Sequence, residues 1–117
     1  MFGVIFMKID ESMSFLEGSI KNLLDKKIRV LVNQIPNLEY IVLFGSHARI
    51  EQTIESDIDL LAVTSGIPDR CIRGDLCSQF EEDNIDLVFY DLNVFRTSNC
   101  LFVSQIKKEG IVIWKKG

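Results

Sequence analysis

The chain has 117 residues, 47% of them hydrophobic, which predicts one small globular domain and excludes a disordered chain. Its net charge of −4 and its lack of a basic stripe disfavour bulk DNA or RNA as a ligand, because nonspecific nucleic-acid binders need cationic side chains to displace counterions from phosphates. The composition is apolar for so small a domain, which indicates that part of the surface serves a partner.

The N-terminal residues and the cysteines bear on the cellular location. Residues 1–8 are apolar but too short to cross a bilayer, and they lack the basic segment that begins a signal peptide. A short strand, a partner contact or a start codon at Met7 would each account for them. Cys71, Cys77 and Cys100 are odd in number and form no Cys-x-x-Cys pair, which argues against a disulfide scaffold and a zinc site. A cytoplasmic protein with reduced thiols and no membrane contact is expected.

Hydrophobic spacing predicts the elements of the first half of the chain. Residues 14–33 carry apolar side chains at helical spacing, and Pro36 closes that helix. Residues 40–44 are an apolar run typical of a buried strand, which Gly45–Ser46 interrupts. A short helix is expected from His47 to about Glu51.

The second half continues the alternation of helices and strands. Residues 57–63 predict a strand whose apolar run is typical of a central position in a sheet. Pro68 begins a helix that carries Ile72, Leu76 and Phe80 on one face. Residues 85–90 predict a third strand, 99–109 a last helix and 111–114 an edge strand. This order predicts an α/β (α+β) fold, with a small mixed β-sheet flanked by helices.

The Gly45–Ser46 pair lies between a predicted strand and a predicted helix, where a phosphate is expected to bind. Glycine lets a phosphate approach the backbone with no Cβ in the way, and the free N–H groups of a helix start favour an anion. The Ser46 hydroxyl either caps the helix or contacts a phosphate oxygen. Taken alone, the pair is more typical of an ordinary turn.

Two aspartates, Asp57 and Asp59, begin the second predicted strand. The period of two in a strand places both carboxylates on one face, where they are able to hold two divalent cations about 3.5–4 Å apart. Mg²⁺ is favoured because it is a hard ion that prefers oxygen ligands, with Mn²⁺ as the alternative. Taken alone, the pair also fits a wet strand end with solvated aspartates.

A third aspartate, Asp86, interrupts the otherwise apolar third strand. If that strand pairs beside residues 57–61, the Asp86 carboxylate joins the aspartate pair as a metal ligand and as the base that takes the proton from an attacking hydroxyl. Asp83 and Asp91 compete for this role. Each lies nearer a strand end, where a solvated side chain is the simpler interpretation.

In combination these features resemble the DNA polymerase β-type nucleotidyltransferase superfamily, and most closely its minimal nucleotidyltransferase (MNT) branch. The signature of that family is a glycine–serine pair, a gap of ten residues and an Asp-x-Asp pair, followed by an aspartate on a later strand. The matching stretches here are Gly45–Val63, Ile85–Val88 and Phe102–Trp114. The resemblance covers residues 38–114 and implies a single nucleotidyltransferase domain over 1–117.

Two positions depart from the family pattern. Many relatives carry an arginine directly after the serine and a glycine after the second arginine, where this chain has His47 and Ile50. Arg49 is retained, and the resemblance implies that it contacts a phosphate of the nucleotide. The alternatives are a surface charge for Arg49 and an exposed neighbour for His47. His47 is given no catalytic role, because the carboxylates and metal already supply what the reaction needs.

The resemblance also implies a function, which is the metal-dependent transfer of AMP from ATP onto a hydroxyl of a partner protein. Larger relatives carry an additional helical domain that binds the acceptor, and no room for one remains after Trp114. The acceptor site is therefore expected on a partner. In the MNT branch that partner is a HEPN-type toxin ribonuclease encoded nearby, with the MNT protein as its antitoxin in a hetero-oligomer.

Three other interpretations stay open. A degenerate member would neutralise a toxin by contact alone, and the intact Gly45, Ser46, Asp57, Asp59 and Asp86 argue against it. Transfer to a small molecule such as an aminoglycoside is the second, and the missing acceptor domain argues against that. An α/β domain with a chance motif is the third.

Overall fold

The computed structural model describes residues 8–45 and 57–116. Within these ranges the chain forms five strands and four helices. In chain order they are β1 Lys8–Ile9, α1 Gly18–Gln34, β2 Leu38–Phe44, β3 Ile58–Thr64, α2 Arg70–Glu81, β4 Ile85–Asp91, α3 Leu92–Thr97, α4 Leu101–Glu109 and β5 Ile111–Lys115.

The strands form one mixed sheet in the order β1-β5-β2-β3-β4. The central strand β2 is antiparallel to both β3 and β5, whereas the outer pairs β3–β4 and β1–β5 are parallel. The predicted mixed sheet flanked by helices is therefore confirmed. The apolar runs of the two central strands, residues 40–44 of β2 and 60–63 of β3, are continuous because helices cover both faces of these strands.

Helix α1 packs on one face of the sheet through a buried stripe at helical spacing, Leu24, Ile28 and Leu31. It begins at Gly18, four residues later than predicted, because the Glu17 carboxylate accepts a hydrogen bond from the backbone N–H of Ser19 and caps the helix there. The preceding residues form turns instead of helix.

Helix α2 covers the same face of the sheet through Leu76 and Phe80, both predicted to face inward. Asp69 caps it by accepting from the Cys71 N–H. Ile72, which the helical pattern placed on the same face, is instead 38% exposed. One turn at the start of α2 therefore extends beyond the edge of the core.

Helices α3 and α4 cover the opposite face. Phe95, Val103 and Ile106 pack there against Leu61 and Val42 of the central strands. Helix α4 begins at Leu101, within two residues of the prediction, whereas α3 was not predicted. None of the helices in the described ranges is long and apolar enough to cross a membrane.

Candidate active site

One edge of the sheet collects the residues that the sequence singled out. Because β2 runs antiparallel to β3 and β4 runs parallel to β3, the end of β2 and the starts of β3 and β4 meet at the same edge. Phe44 pairs with Asp59, and Asp59 pairs in turn with Asp86. Neighbouring strands are about 4.8 Å apart, so this register line brings two carboxylate-bearing residues side by side.

The same register decides which face the two carboxylates share. Leu61 and Val63 of β3, and Val88 and Tyr90 of β4, all pack in the cluster beneath α3 and α4. The period of two then places Asp59 and Asp86 on that face as well. Asp59 is half-buried and Asp86 is exposed. The expected pairing of the third strand beside the second is therefore observed.

Asp57 is exposed and directly precedes β3. It lines an open cleft of about 350 Å³ together with Glu81, Asn84, Ile85 and Asp86. A hydrogen bond joins the start of β3 to the residue before β4 at this cleft, with the Ile58 N–H donating to the Asn84 carbonyl at 3.0 Å. Asp57 and Asp86 thus both line one solvent-accessible cleft, and Asp59 pairs with Asp86 in the sheet.

Glu81 is a lining residue of this cleft that sequence reasoning missed. It lies in the last turn of α2, and only the packing of α2 on β4 brings it beside the aspartates. Its spacing in the sequence carried no signal, because an exposed glutamate near a helix end is ordinary.

Gly45 has a positive φ of +77°, the left-handed conformation that favours glycine. A Cβ at this position would collide with Asp59 Oδ2 and would lie 3.1 Å from Asp59 Cγ. The backbone of the turn therefore packs directly against the Asp59 carboxylate. Ser46, Arg49, the neighbouring His47 and the predicted helix from His47 to Glu51 lie outside the described residues.

The two competitors of Asp86 have structural partners. The Asp83 carboxylate forms an ion pair with Lys27, with Nζ 2.7 Å from Oδ2. The Asp91 carboxylate caps α3 by accepting from the N–H groups of Asn93 and Val94, and it also accepts from Gly66 N–H at 2.9 Å. Asp86 is the acidic residue of β4 that faces the cleft, as the sequence favoured.

The donor set at this edge is chemically suited to a hard divalent cation, since carboxylate oxygens are the ligands that Mg²⁺ and Mn²⁺ prefer. Asp57 and Asp86 are accessible from the cleft, so an ion would reach them from solvent. Within 8–45 and 57–116, no three His, Cys, Asp or Glu side chains already stand close enough to hold one ion. The assignment of Asp57, Asp59 and Asp86 as ligands stays a prediction.

An aromatic group lies beside this edge, beneath α3 and α4. The Phe102 ring stacks on Tyr90, with centroids 5.9 Å apart, and meets the Phe44 ring edge-on. Tyr90 also contacts Phe95. Burial raises the pKa of the Tyr90 hydroxyl above its ordinary value. Phe44, the last residue of β2, connects this group to the glycine turn.

A mixed sheet with in-register carboxylates beside a glycine turn defines a nucleotidyltransferase-like domain. The sequence matches the model of the family described as Polymerase beta, Nucleotidyltransferase over residues 26–117. The chain belongs to this family, whose members generally use divalent metal ions. The family resemblance and the fold class predicted from the sequence are both confirmed.

The chain is also similar to individual known proteins. Protein adenylyltransferase MntA of Shewanella oneidensis is 30% identical over 93 residues, which cover 77% of this chain and 63% of the relative. The chain thus spans slightly less than two thirds of that protein. A solved structure described as a toxin–antitoxin with AMP-PNP contains a chain 27% identical, with a TM-score of 0.64 over 79% of this chain and 73% of that one.

A second solved structure is described as tri-AMPylated Shewanella oneidensis HEPN toxin in complex with MNT antitoxin. It contains a chain 27% identical to this one, with a TM-score of 0.57 over 79% of this chain and 69% of that one. The matched chains of the two solved structures have the same fold as the chain described here, and the second structure is described as containing an MNT antitoxin.

Proposed function

We propose that this chain is a metal-dependent adenylyltransferase that moves AMP from ATP onto a hydroxyl group of a partner protein, the HEPN-type toxin of a toxin–antitoxin pair. The observation that carries the proposal is the alignment of Asp59 with Asp86, beside a glycine turn that packs against the Asp59 carboxylate. Similar proteins described as an adenylyltransferase and as partners of an AMPylated HEPN toxin support the donor and the acceptor.

In this proposal Asp57, Asp59 and Asp86 hold divalent metal, two Mg²⁺ ions or Mn²⁺ in their place. Bound metal would neutralise the charge of the triphosphate and of the departing pyrophosphate. The cation is needed because carboxylates and phosphates repel each other, and the chain carries an excess of negative charge. Gly45, Ser46 and Arg49 are assigned to the phosphates of the nucleotide.

Asp86 is assigned to the proton transfer. The hydroxyl oxygen of the partner attacks the α-phosphorus of ATP, a new oxygen–phosphorus bond forms, and the bond from the α-phosphorus to the bridging oxygen breaks. Pyrophosphate leaves with the electrons of that bond, and the Asp86 carboxylate takes the hydroxyl proton. Asp86 suits this step because it is exposed in the cleft, whereas Asp59 is half-buried against the turn.

The intact masses of the two proteins test this proposal. The chain is purified together with the product of its neighbouring gene, incubated with ATP and Mg²⁺, and both proteins are weighed. We expect the partner to gain AMP, and we expect Asp59→Asn to lose the transfer by orders of magnitude because the carboxylate pair is broken. Asp75→Asn is the matched control, since Asp75 is an exposed aspartate of α2 that is not among the residues lining the cleft.

Exposed apolar side chains favour a second mode of action, neutralisation by contact alone. Val94 of α3 is 51% exposed and Leu101 of α4 is 82% exposed, on the helices that flank the site. If a stable complex silences the toxin and neither protein gains mass with any nucleotide, contact is the mechanism and the transferase proposal is wrong. The proposal places the pair in the cytoplasm, where ATP is available and thiols stay reduced.

A further inference from the structure

A small cavity of about 180 Å³ lies next to Gly45, on the face of the sheet that α3 and α4 cover. It opens between the end of β2 and one side of α4, from Phe102 near the start of that helix to Glu109 at its end, and most of its wall is apolar. Its lining residues are Phe44, Gly45, Phe102, Gln105, Ile106 and Glu109. The roles assigned above to the carboxylates do not use this cavity. Gly45 connects the two regions, since it lines the cavity and also packs against the Asp59 carboxylate.

The Phe102 ring is fixed in orientation yet partly uncovered. It stacks on Tyr90 with an interplanar angle of 29°, and it meets Phe44 at 89° with ring centroids 5.7 Å apart. Despite these two contacts, Phe102 remains 40% exposed. A ring that is held from two sides and open on another offers a ready stacking surface for a flat ligand, with little side-chain entropy left to lose.

The polar side chains of the cavity have a hydrogen-bonding pattern that suits one base. Gln105 Nε2 donates to Glu109 Oε2 at 2.6 Å, one turn apart on α4, which orients the Gln105 amide. That amide carries a second N–H and a carbonyl oxygen. A glutamine amide pairs with adenine because adenine offers an amino donor beside a ring-nitrogen acceptor, whereas guanine offers two acceptors on the corresponding edge.

The apolar wall of the cavity argues against a phosphate there, because a buried phosphate needs polar or cationic partners and an apolar wall offers few. The phosphates therefore belong at the Gly45 turn, and a nucleotide bound there would extend its other end along α4. The cavity size, the apolar wall and the oriented amide then all fit a heterocycle.

We infer that this cavity binds the adenine base of the nucleotide donor, with Phe102 as the stacking surface and Gln105 as the residue that selects adenine over guanine. This inference rests on the proposed function, because it places the base of the same nucleotide whose phosphates lie at the turn. Because Phe102 and Gln105 both lie on α4, this helix would determine the preference for ATP over GTP.

Titration calorimetry on the full chain with two ligands tests the stacking role. With Mg²⁺ present, ATP carries a base and inorganic tripolyphosphate does not. We expect Phe102→Ala to weaken ATP binding by about tenfold or more, because base stacking on an aromatic ring contributes that much. Binding of tripolyphosphate should stay unchanged. Ile72→Ala is the matched control, because Ile72 has a similar exposure of 38% on α2 and should leave both affinities unchanged.

Gln105→Ala tests the selectivity and guards against a folding effect of the Phe102 change, since Gln105 is an exposed helical residue. We expect the ratio of ATP to GTP affinity to fall severalfold, while Gln79→Ala, an exposed glutamine on α2, leaves it unchanged. If Phe102→Ala loses ATP and tripolyphosphate affinity equally, or if Gln105→Ala keeps the preference for ATP over GTP, the base site is wrong and the proposed function is unaffected. A wild-type chain that binds neither ligand would instead overturn the proposed function and the base site with it.

Discussion

Replacing Gly45 with alanine tests whether the glycine turn and the Asp59 carboxylate form one unit. An alanine at φ +77° adopts the left-handed conformation at a cost of roughly 1–2 kcal/mol. Its Cβ also collides with Asp59 Oδ2, so the carboxylate must leave its rotamer at a further cost of about 0.5–1.5 kcal/mol. We therefore expect Gly45→Ala to lower the free energy of unfolding by roughly 1.5–3.5 kcal/mol.

The effect on transfer should exceed the effect on stability. A misplacement of about 1 Å in a reacting group costs on the order of a hundredfold in rate, and the Asp59 carboxylate has to move by a comparable distance to admit the new Cβ. Thermal unfolding by circular dichroism gives the stability, and AMP transfer to the partner gives the rate, at a temperature where the variant is folded.

Gly74→Ala is the matched control for this prediction. Gly74 lies inside α2, and an added Cβ there meets nothing within 4 Å. Alanine is the better helix former, so Gly74→Ala should raise stability by roughly 0.5–1 kcal/mol and leave transfer unchanged. If Gly45→Ala unfolds at the wild-type temperature and transfers AMP at the wild-type rate, the proposed contact between the turn and Asp59 has no functional weight.

Two further predictions concern the packing and the thiols. Leu61 is fully buried beneath α3 and α4, so Leu61→Ala should lower the free energy of unfolding by about 2–5 kcal/mol, whereas Val32→Ala, at a site 37% exposed, should cost about 0.5 kcal/mol or less by the same denaturant titration. Hydrogen bonds from Ser98 and from backbone N–H groups at the start of α4 lower the pKa of the Cys100 thiol. Since the thiolate is the nucleophile, the rate of Cys100 alkylation should rise at a lower pH than that of an ordinary cysteine. Ser98→Ala should shift this pH–rate curve to higher pH, and coincident curves for the wild type and Ser98→Ala would exclude the Ser98 contribution.

Strands β2 to β5 were predictable because each contains an apolar run of at least four residues. The predicted 57–63 is shifted by one residue at both ends from β3, and the predicted 85–90 ends one residue before β4 does. The larger difference is at β2, which begins at Leu38, two residues before the predicted start at Tyr40. The Leu38 side chain is buried, whereas the polar Glu39 that follows it interrupts the apolar run in the sequence. Glu39 remains on the outside, where its carboxylate lies 3.9 Å from Lys116 Nζ.

The short helix α3 was not predictable from periodicity. Its six residues are fewer than two turns, too few for a repeating apolar pattern to emerge. The available signal is Asp91, which the sequence offers as a competitor of Asp86 for the metal although its carboxylate caps α3. An aspartate directly after an apolar strand is compatible with both roles, and only the tertiary structure distinguishes them.

The candidate site was predictable in its residue types and not in its surroundings. The spacing of Asp57 and Asp59 along one strand indicates a shared face, but it does not indicate which strand lies alongside. Pairing of Asp59 with Asp86 depends on the sheet order, which the sequence alone leaves open. Glu81 reaches the cleft through the packing of α2 on β4, so no local pattern in the sequence marks it.

The mixed topology of the sheet explains why the signature residues have their spacing. An antiparallel return needs only a short connection, so the glycine at the end of β2 and the aspartates at the start of β3 meet at one edge across residues 46–56. Asp86 is the second residue of β4, so β4 must start at that same edge for Asp86 to lie there, which requires β4 to run parallel to β3. A parallel neighbour needs a crossover, and α2 supplies it. If β4 were antiparallel to β3, its first residues would lie at the opposite edge of the sheet, and Asp86 would be separated from Asp59 by the length of the strand. The combination of one antiparallel and one parallel neighbour is therefore what allows residues so far apart in the sequence to line one acidic cleft.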